Sequence, residues 1–189
     1  GKKFVGEGIL TNRSGRERSV GRLFAKIIAK RAIDVKKVVA KYNWLKRRGF
    51  PVPGTMRYDE KTKTLLSTEL SAEGTKILVD RHHPLLRYGI QPKQIVNWKE
   101  ISTEILEIAV EAYDEGGGME LGYDNYLIAL ERIDGKFRGE TYLTDIGFGA
   151  NFLSDISLFR RRDVTEKTNV EEARVFLAEI QCLPWDKVK

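Results

Sequence analysis

The chain has 189 residues, 41% of them hydrophobic and 32% charged, which suffices for one well-cored domain or two small ones. Its net charge of +6 is unevenly spread: residues 1–70 carry 18 Lys+Arg against 6 Asp+Glu, and the remainder 15 against 21. No apolar run approaches the ~18 residues of a membrane span, a lone Cys182 excludes a disulfide framework, and His82-His83 cannot supply a Cys/His zinc cluster. Gly1-Lys2-Lys3 does not open a signal peptide, so a reducing, cytoplasmic location is expected.

In chain order, Phe4 to Leu10 reads as a short apolar strand, with Gly6 and Gly8 where a turn or a close backbone approach would fall. Thr11 to Ser19 is polar and turn-rich. Val20 to Ile28, with Leu23, Phe24, Ala25 and Ile27, suits a buried strand. Asp34 has the chemistry of a helix N-cap. Behind it Val35, Val38, Val39, Tyr42 and Leu45 recur at helical spacing up to Gly49, a plausible C′ residue, and Pro51 and Pro53 forbid continuation. Thr55–Tyr58 and Thr64–Leu70 then read as a hairpin.

The polar joint Ser71-Ala72-Glu73-Gly74 is the best boundary between two parts, residues 1–70 and 71–189. Beyond it the texture turns helical. Ile101, Ile105, Ile108 and Ala109 form one stripe within Ile95 to Tyr113, which the run Gly116-Gly117-Gly118 ends. Tyr126 to Glu131 and Glu140 to Thr144 flank an Asp134-Gly135 turn and predict a second hairpin. Val170 to Ile180 reads as an amphipathic helix with Ala173, Val175, Phe176 and Ile180 inward.

Two clusters carry chemistry. In Tyr142-Leu143-Thr144-Asp145-Ile146-Gly147 an apolar strand ends in Asp-x-Gly, which presents a carboxylate at a sharp reversal. Such a carboxylate suits Mg²⁺. In Gly122-Tyr123-Asp124-Asn125 the Asn125 amide offers a second hard oxygen, with Glu120 and Asp124 nearby. A plain turn accounts for the first cluster as well, and an Asx-rich turn before a strand for the second.

The order of these parts resembles the protein-kinase-like fold, closest to its aminoglycoside-phosphotransferase-like and small atypical branch. Arg48-Gly49-Phe50-Pro51-Val52-Pro53 looks like the segment linking the first helix to the fourth strand there. The resemblance covers roughly residues 3–150 and rests on order and spacing. It implies an α+β, bilobal architecture with a strand-rich N-lobe and a reduced helical C-lobe carrying the catalytic-loop hairpin. ATP and Mg²⁺ would be the cofactors. Gly6 and Gly8 would match the first two glycines of the phosphate-covering loop, with no recognisable third. Lys26 would hold the α and β phosphates, with Lys30 as the rival.

Ser67-Thr68-Glu69-Leu70 would be the hinge that meets adenine, through Glu69 and Leu70. Asn125 and Asp145 would share one divalent ion. Five residues before Asn125, where the family places its catalytic Asp, stands Glu120; Asp124 is the second carboxylate that could receive the acceptor hydroxyl. There is no His-x-Asp, and the first helix offers Val38, Val39 and Tyr42 where the family has a Glu to pair with the strand lysine; Asp34 at the helix start is the substitute. The implied function is ATP-dependent transfer of the γ-phosphoryl to a hydroxyl of a protein or small molecule. The alternative is a catalytically impaired pseudokinase that binds nucleotide or a partner.

Lys36, Lys37, Lys41, Lys46, Arg47 and Arg48 on one helix, with Arg13, Arg16 and Arg18, also form a patch able to contact nucleic-acid phosphates. A solvated helix face explains the patch as well. Arg160-Arg161-Arg162 reads as surface. A membrane is not an expected partner.

Overall fold

The computed structural model describes residues 3–11, 17–27, 35–54, 56–62, 64–68, 70–71, 76–114, 119–144 and 166–183, with side chains from residue 38 onward. The chain divides into two compact units, Gly1–Gly74 and Thr75–Lys189. Among the described residues it is an α+β protein with three α-helices and two small antiparallel sheets. No described helix is long and apolar enough to cross a membrane.

The first unit contains β1 (Lys3–Thr11), β2 (Glu17–Ile27), α1 (Val35–Arg47), β3 (Met56–Asp59) and β4 (Thr64–Thr68). Its sheet runs β1-β2-β4-β3, antiparallel throughout. The glycine turn expected at Gly6 and Gly8 is not there: both residues lie inside β1. Gly6 pairs with Leu23, and the register shifts between Glu7 and Ile9, so Gly8 sits at a bulge. A residue without Cβ relieves an irregular ladder there, which explains a glycine in mid-strand as well as a turn does.

Helix α1 buries Val38, Tyr42 and Leu45 of the expected stripe, while Val39 is only half-buried, and it packs on β3. It ends in a Schellman motif. The Phe50 N–H reaches the Leu45 carbonyl at 3.1 Å and the Gly49 N–H reaches that of Lys46 at 3.1 Å. Gly49 has φ +86°, a left-handed conformation that glycine adopts without Cβ strain. Phe50 and Val52 are buried beyond it, so the stop signal also anchors the chain. The proposed N-cap Asp34 and the rival lysine Lys30 lie outside the described residues.

The second unit contains β5 (Lys76–Val79), α2 (Trp98–Asp114), β6 (Tyr126–Ile133), β7 (Lys136–Leu143) and α3 (Glu166–Gln181), with a sheet ordered β5-β6-β7. The helical texture expected after Gly74 is thus corrected by a strand at once. Four residues are too few for a period to show, and β5 exists because it pairs with β6 far along the chain, Val79 opposite Ile128. The β6–β7 hairpin turns at Asp134-Gly135, φ +50° and +80°, as a two-residue primed turn requires.

One face of this sheet is the core. Tyr126, Ile128 and Leu130 of β6 with Thr141 and Leu143 of β7 are buried, as are Ile101, Ile105, Ile108, Ala109 and Ala112 of α2. Helix α3 adds Ala173, Phe176, Leu177 and Ile180, while Val175 is only half-buried. Helix α2 packs on both α3 and β7. Full burial of each large side chain contributes about 1.5–3 kcal/mol. The free edge of β7 is covered in part: Val96 N–H donates to the Phe137 carbonyl at 2.8 Å, and the Asn97 side chain takes both backbone groups of Gly139 at 2.9 Å. A Cβ at position 139 would collide with Ile101 Cδ1, which is why a strand interior holds glycine there.

Candidate functional site

The segment Met119–Asn125 between α2 and β6 is short, irregular and held from three sides. Asn169, fully buried on α3, is its main anchor. Its amide nitrogen donates to the Met119 carbonyl at 2.9 Å and to the Ala109 carbonyl of α2 at 3.1 Å, and its oxygen accepts the Leu121 N–H at 3.1 Å. One helical turn on, Glu172 accepts the Tyr123 N–H at 2.9 Å. Arg81 completes the clamp: its guanidinium lies 4.4 Å from the Tyr123 ring centre and donates to the Tyr123 hydroxyl at 2.6 Å. Sequence spacing did not single out Asn169, Glu172 or Arg81. The available signal was Asn169 itself, one polar residue on the stripe that continues as Ala173 and Phe176.

Asn125 closes the segment onto the hairpin. Its oxygen accepts the Gly122 N–H at 2.8 Å and its amide nitrogen donates to the Thr144 carbonyl at 3.1 Å. The backbone adds a second link to the same residue, Thr144 N–H to the Asn125 carbonyl at 2.8 Å. Asn125 is therefore bonded twice to the residue that precedes Asp145. Asp145 lies outside the described residues. Among the described residues no three His, Cys, Asp or Glu side chains gather as a metal site.

The two candidate carboxylates sit differently. Glu120 is half-buried and its Oε2 is shielded from solvent. Asp124 is exposed, and its carboxylate folds back over Gly122, where a Cβ would come within 2.8 Å of Oδ1. Asp124 thus shapes the turn as well as offering a charge. Tyr126, which follows Asn125, is buried against Phe176 with ring centres 5.5 Å apart. Burial, and secondarily the Glu172 carboxylate, pushes its hydroxyl well above the ordinary range of a tyrosine.

Of the residues assigned to nucleotide, Gly6 and Gly8 are in β1 as described. Lys26 is in β2, an interior strand, with Leu65 of β4 and Lys3 of β1 as its register partners. Leu70 follows the end of β4 in a turn, and Glu69 lies outside the described residues. Compared with protein-family models, curated proteins and solved structures, the chain matches none.

Near Met119–Asn125, Asp80 and His83 form a compact pair. Asp80 Oδ1 accepts the His82 N–H and the His83 N–H at 2.8 Å and faces His83 Nδ1 at 3.0 Å. On the other face of the sheet Lys76 of β5 meets Glu140 of β7 at 2.7 Å, and the Tyr142 hydroxyl donates to the same carboxylate oxygen at 3.0 Å. These bonds tie the two outer strands across β6.

Proposed function

We propose that the chain is an ATP-dependent phosphotransferase of protein-kinase-like, bilobal architecture, moving the γ-phosphoryl of ATP to a hydroxyl acceptor. The observation that carries the reading is the pair of hydrogen bonds between Asn125 and Thr144, which ties Asn125 to the residue that precedes the Asp of an Asp-x-Gly. Asn125 and Asp145 would each offer a hard oxygen to a divalent ion bound to phosphates. Asn125 fits that use: its oxygen is oriented by the Gly122 N–H and retains a second lone pair. Mg²⁺ when bound would neutralise charge on the phosphates.

The residues of the chain would divide the remaining work. Lys26 would bind phosphate oxygens from β2, Glu69 and Leu70 would meet adenine, and Glu120 would accept the hydrogen bond of the acceptor hydroxyl. The clamp of Asn169, Glu172 and Arg81 would hold Glu120 and Asn125 in place. Positioning of that kind supplies much of the catalysis in phosphoryl transfer.

A second reading, a nucleotide-binding pseudokinase, is favoured by one observation. The Asn125 amide already serves Gly122 and Thr144 as a structural staple, which is reason enough for Asn at that position. Calorimetric titration with ATP and Mg²⁺, beside a phosphoryl-transfer assay over protein and small-alcohol acceptors, separates the readings. Binding with transfer supports the first, and binding without transfer the second. No nucleotide binding removes the first and leaves of the second only its partner-binding form.

A further inference from the structure

Helix α1 differs from an ordinary solvated helix in its charge pattern. Between Asp34 and Asp59 the sequence holds seven Lys and Arg and no acidic residue. A solvated face normally intersperses Glu with Lys at i,i+4, because such pairs stabilise a helix and like charges at that spacing destabilise it. Here no acidic residue within Val35–Arg47 offsets the repulsion. Lys46, Arg47 and Arg48 are exposed at its C-terminal end, where the helix dipole favours cations but does not require three of them. The Lys46 ammonium also donates to the Gly54 carbonyl, which leaves it two further N–H donors.

The same stretch carries an indole. Trp44 is half-buried, with the Lys41 ammonium 4.4 Å and the Arg48 guanidinium 5.2 Å from its ring centre. Lys41, Trp44 and Arg48 follow one another at i, i+3 and i+7, a single stripe along the helix. Burial of Lys41 lowers its pKa, consistent with an ammonium drawn down onto the ring instead of extended into water. The stripe is separate from the apolar face, whose Val38, Tyr42 and Leu45 are buried.

We propose that the C-terminal half of α1, with Lys41, Trp44, Lys46, Arg47 and Arg48, is a docking surface for single-stranded nucleic acid. A run of cations without acids matches a phosphate chain. The Arg48 guanidinium over the Trp44 ring adds a planar cation on an aromatic support, and bases of single strands stack on guanidinium planes as well as on aromatic rings. A lipid surface fits less well. An interfacial helix presents an apolar face to the bilayer, whereas the exposed large apolar side chains among the described residues, Leu86, Tyr88, Val96, Ile133 and Leu183, all lie outside α1. An acidic peptide would use the cations and leave Trp44 without a role. The inference is independent of the phosphotransferase reading.

The test is fluorescence anisotropy with a labelled oligouridylate across a salt series, with the full chain. Binding should weaken steeply with salt. The combined variant Lys46→Ala, Arg47→Ala, Arg48→Ala should lower the slope of log K against log salt by about 2, at roughly 0.7 per cation lost. Trp44→Leu should weaken binding roughly 5- to 100-fold with the salt slope unchanged. A matched variant of the second unit, Arg132→Ala, Lys136→Ala, Arg138→Ala, removes the same charge and should bind as the parent does. Circular dichroism checks folding, and the triple α1 variant, altered only at exposed side chains, remains decisive should Trp44→Leu unfold. The proposal is overturned by absence of binding, by equal loss in the two triple variants, or by an unaffected α1 variant. Tighter binding of duplex RNA or phosphatidylserine vesicles, or equal competition by polyglutamate, also overturns it.

Discussion

The backbone N–H of Leu121 donates to the side-chain oxygen of Asn169, 48 residues away in sequence, and both groups are buried. Through this bond and its two amide donations, Asn169 holds the end of α2, the loop and α3 to one another. Asn169→Leu keeps the volume but strips partners from Leu121 N–H and the Met119 carbonyl. An orphaned buried polar group costs about 1–3 kcal/mol, so a total loss of about 2–4 kcal/mol is expected in urea unfolding. Asn169→Asp should be worse at neutral pH than at low pH. A carboxylate there faces two carbonyl oxygens, so its folded pKa is raised, and the deficit grows as pH rises through the carboxylate range.

Gly139 and Ile101 give a paired prediction. A methyl at position 139 would overlap Ile101 Cδ1 and crowd Leu130 Cδ2 at 3.1 Å. Gly139→Ala should therefore destabilise by about 1–3 kcal/mol, as overpacking generally does. Ile101→Val removes Cδ1 and alone costs about 0.5–1.5 kcal/mol. Combined, the two should cost less than their sum, since the second makes room for the first. Chemical denaturation of the single and double variants measures the coupling. Strict additivity would mean that the chain yields elsewhere.

These two contacts mark where the sequence stops being legible. The stripes of α1, α2 and α3 and the hairpin at Asp134-Gly135 follow from local spacing and turn chemistry, and they lie close to where spacing placed them, with Val39 and Val175 only half-buried. Strand β5 was invisible because its partner β6 lies some fifty residues on. Gly8 read as a turn because glycine in a bulge and glycine in a turn leave the same mark. In the site, the clustering of Glu120, Asp124 and Asn125 was legible as a polar run before a strand. The residues that hold that run, Arg81, Asn169 and Glu172, come from distant segments, and no local period links them to it.

The Lys76–Glu140–Tyr142 cluster should show in the pH dependence of stability. The hydrogen bond from Lys76, and then that from Tyr142, lowers the Glu140 pKa from its ordinary 4.5. That contribution is fully present above pH 4.5 and fades as pH falls through the lower folded value. Lys76 is raised from 10.5, chiefly by its bond to Glu140, and Tyr142 from 10.0, chiefly by burial. Their contributions are present below about pH 10 and fade as pH rises through the folded values. The stability difference between the parent and Glu140→Gln should thus be largest in between and shrink at both ends. With the Glu140 side chain 55% exposed, it should not exceed about 1 kcal/mol. A pH-independent difference would show that the effect of the substitution is packing alone.

The Glu120 and Asp124 pair offers the sharpest test of the phosphotransferase reading. Glu120 stands five residues before Asn125 on a segment fixed by Asn169, and one of its oxygens is shielded from solvent. Asp124 is exposed and lies over Gly122. If Glu120 accepts the acceptor hydroxyl's proton, Glu120→Gln should abolish transfer and leave ATP and Mg²⁺ affinity close to the parent's, because a neutral amide cannot take that proton. Asp124→Asn keeps an oxygen over Gly122 and should reduce the rate only mildly. Single-turnover transfer and calorimetric titration on the same preparations separate chemistry from binding. The reverse pattern, with Asp124→Asn inactive and Glu120→Gln near normal, would move the base to the exposed carboxylate. Full activity in both would remove an essential base from this loop.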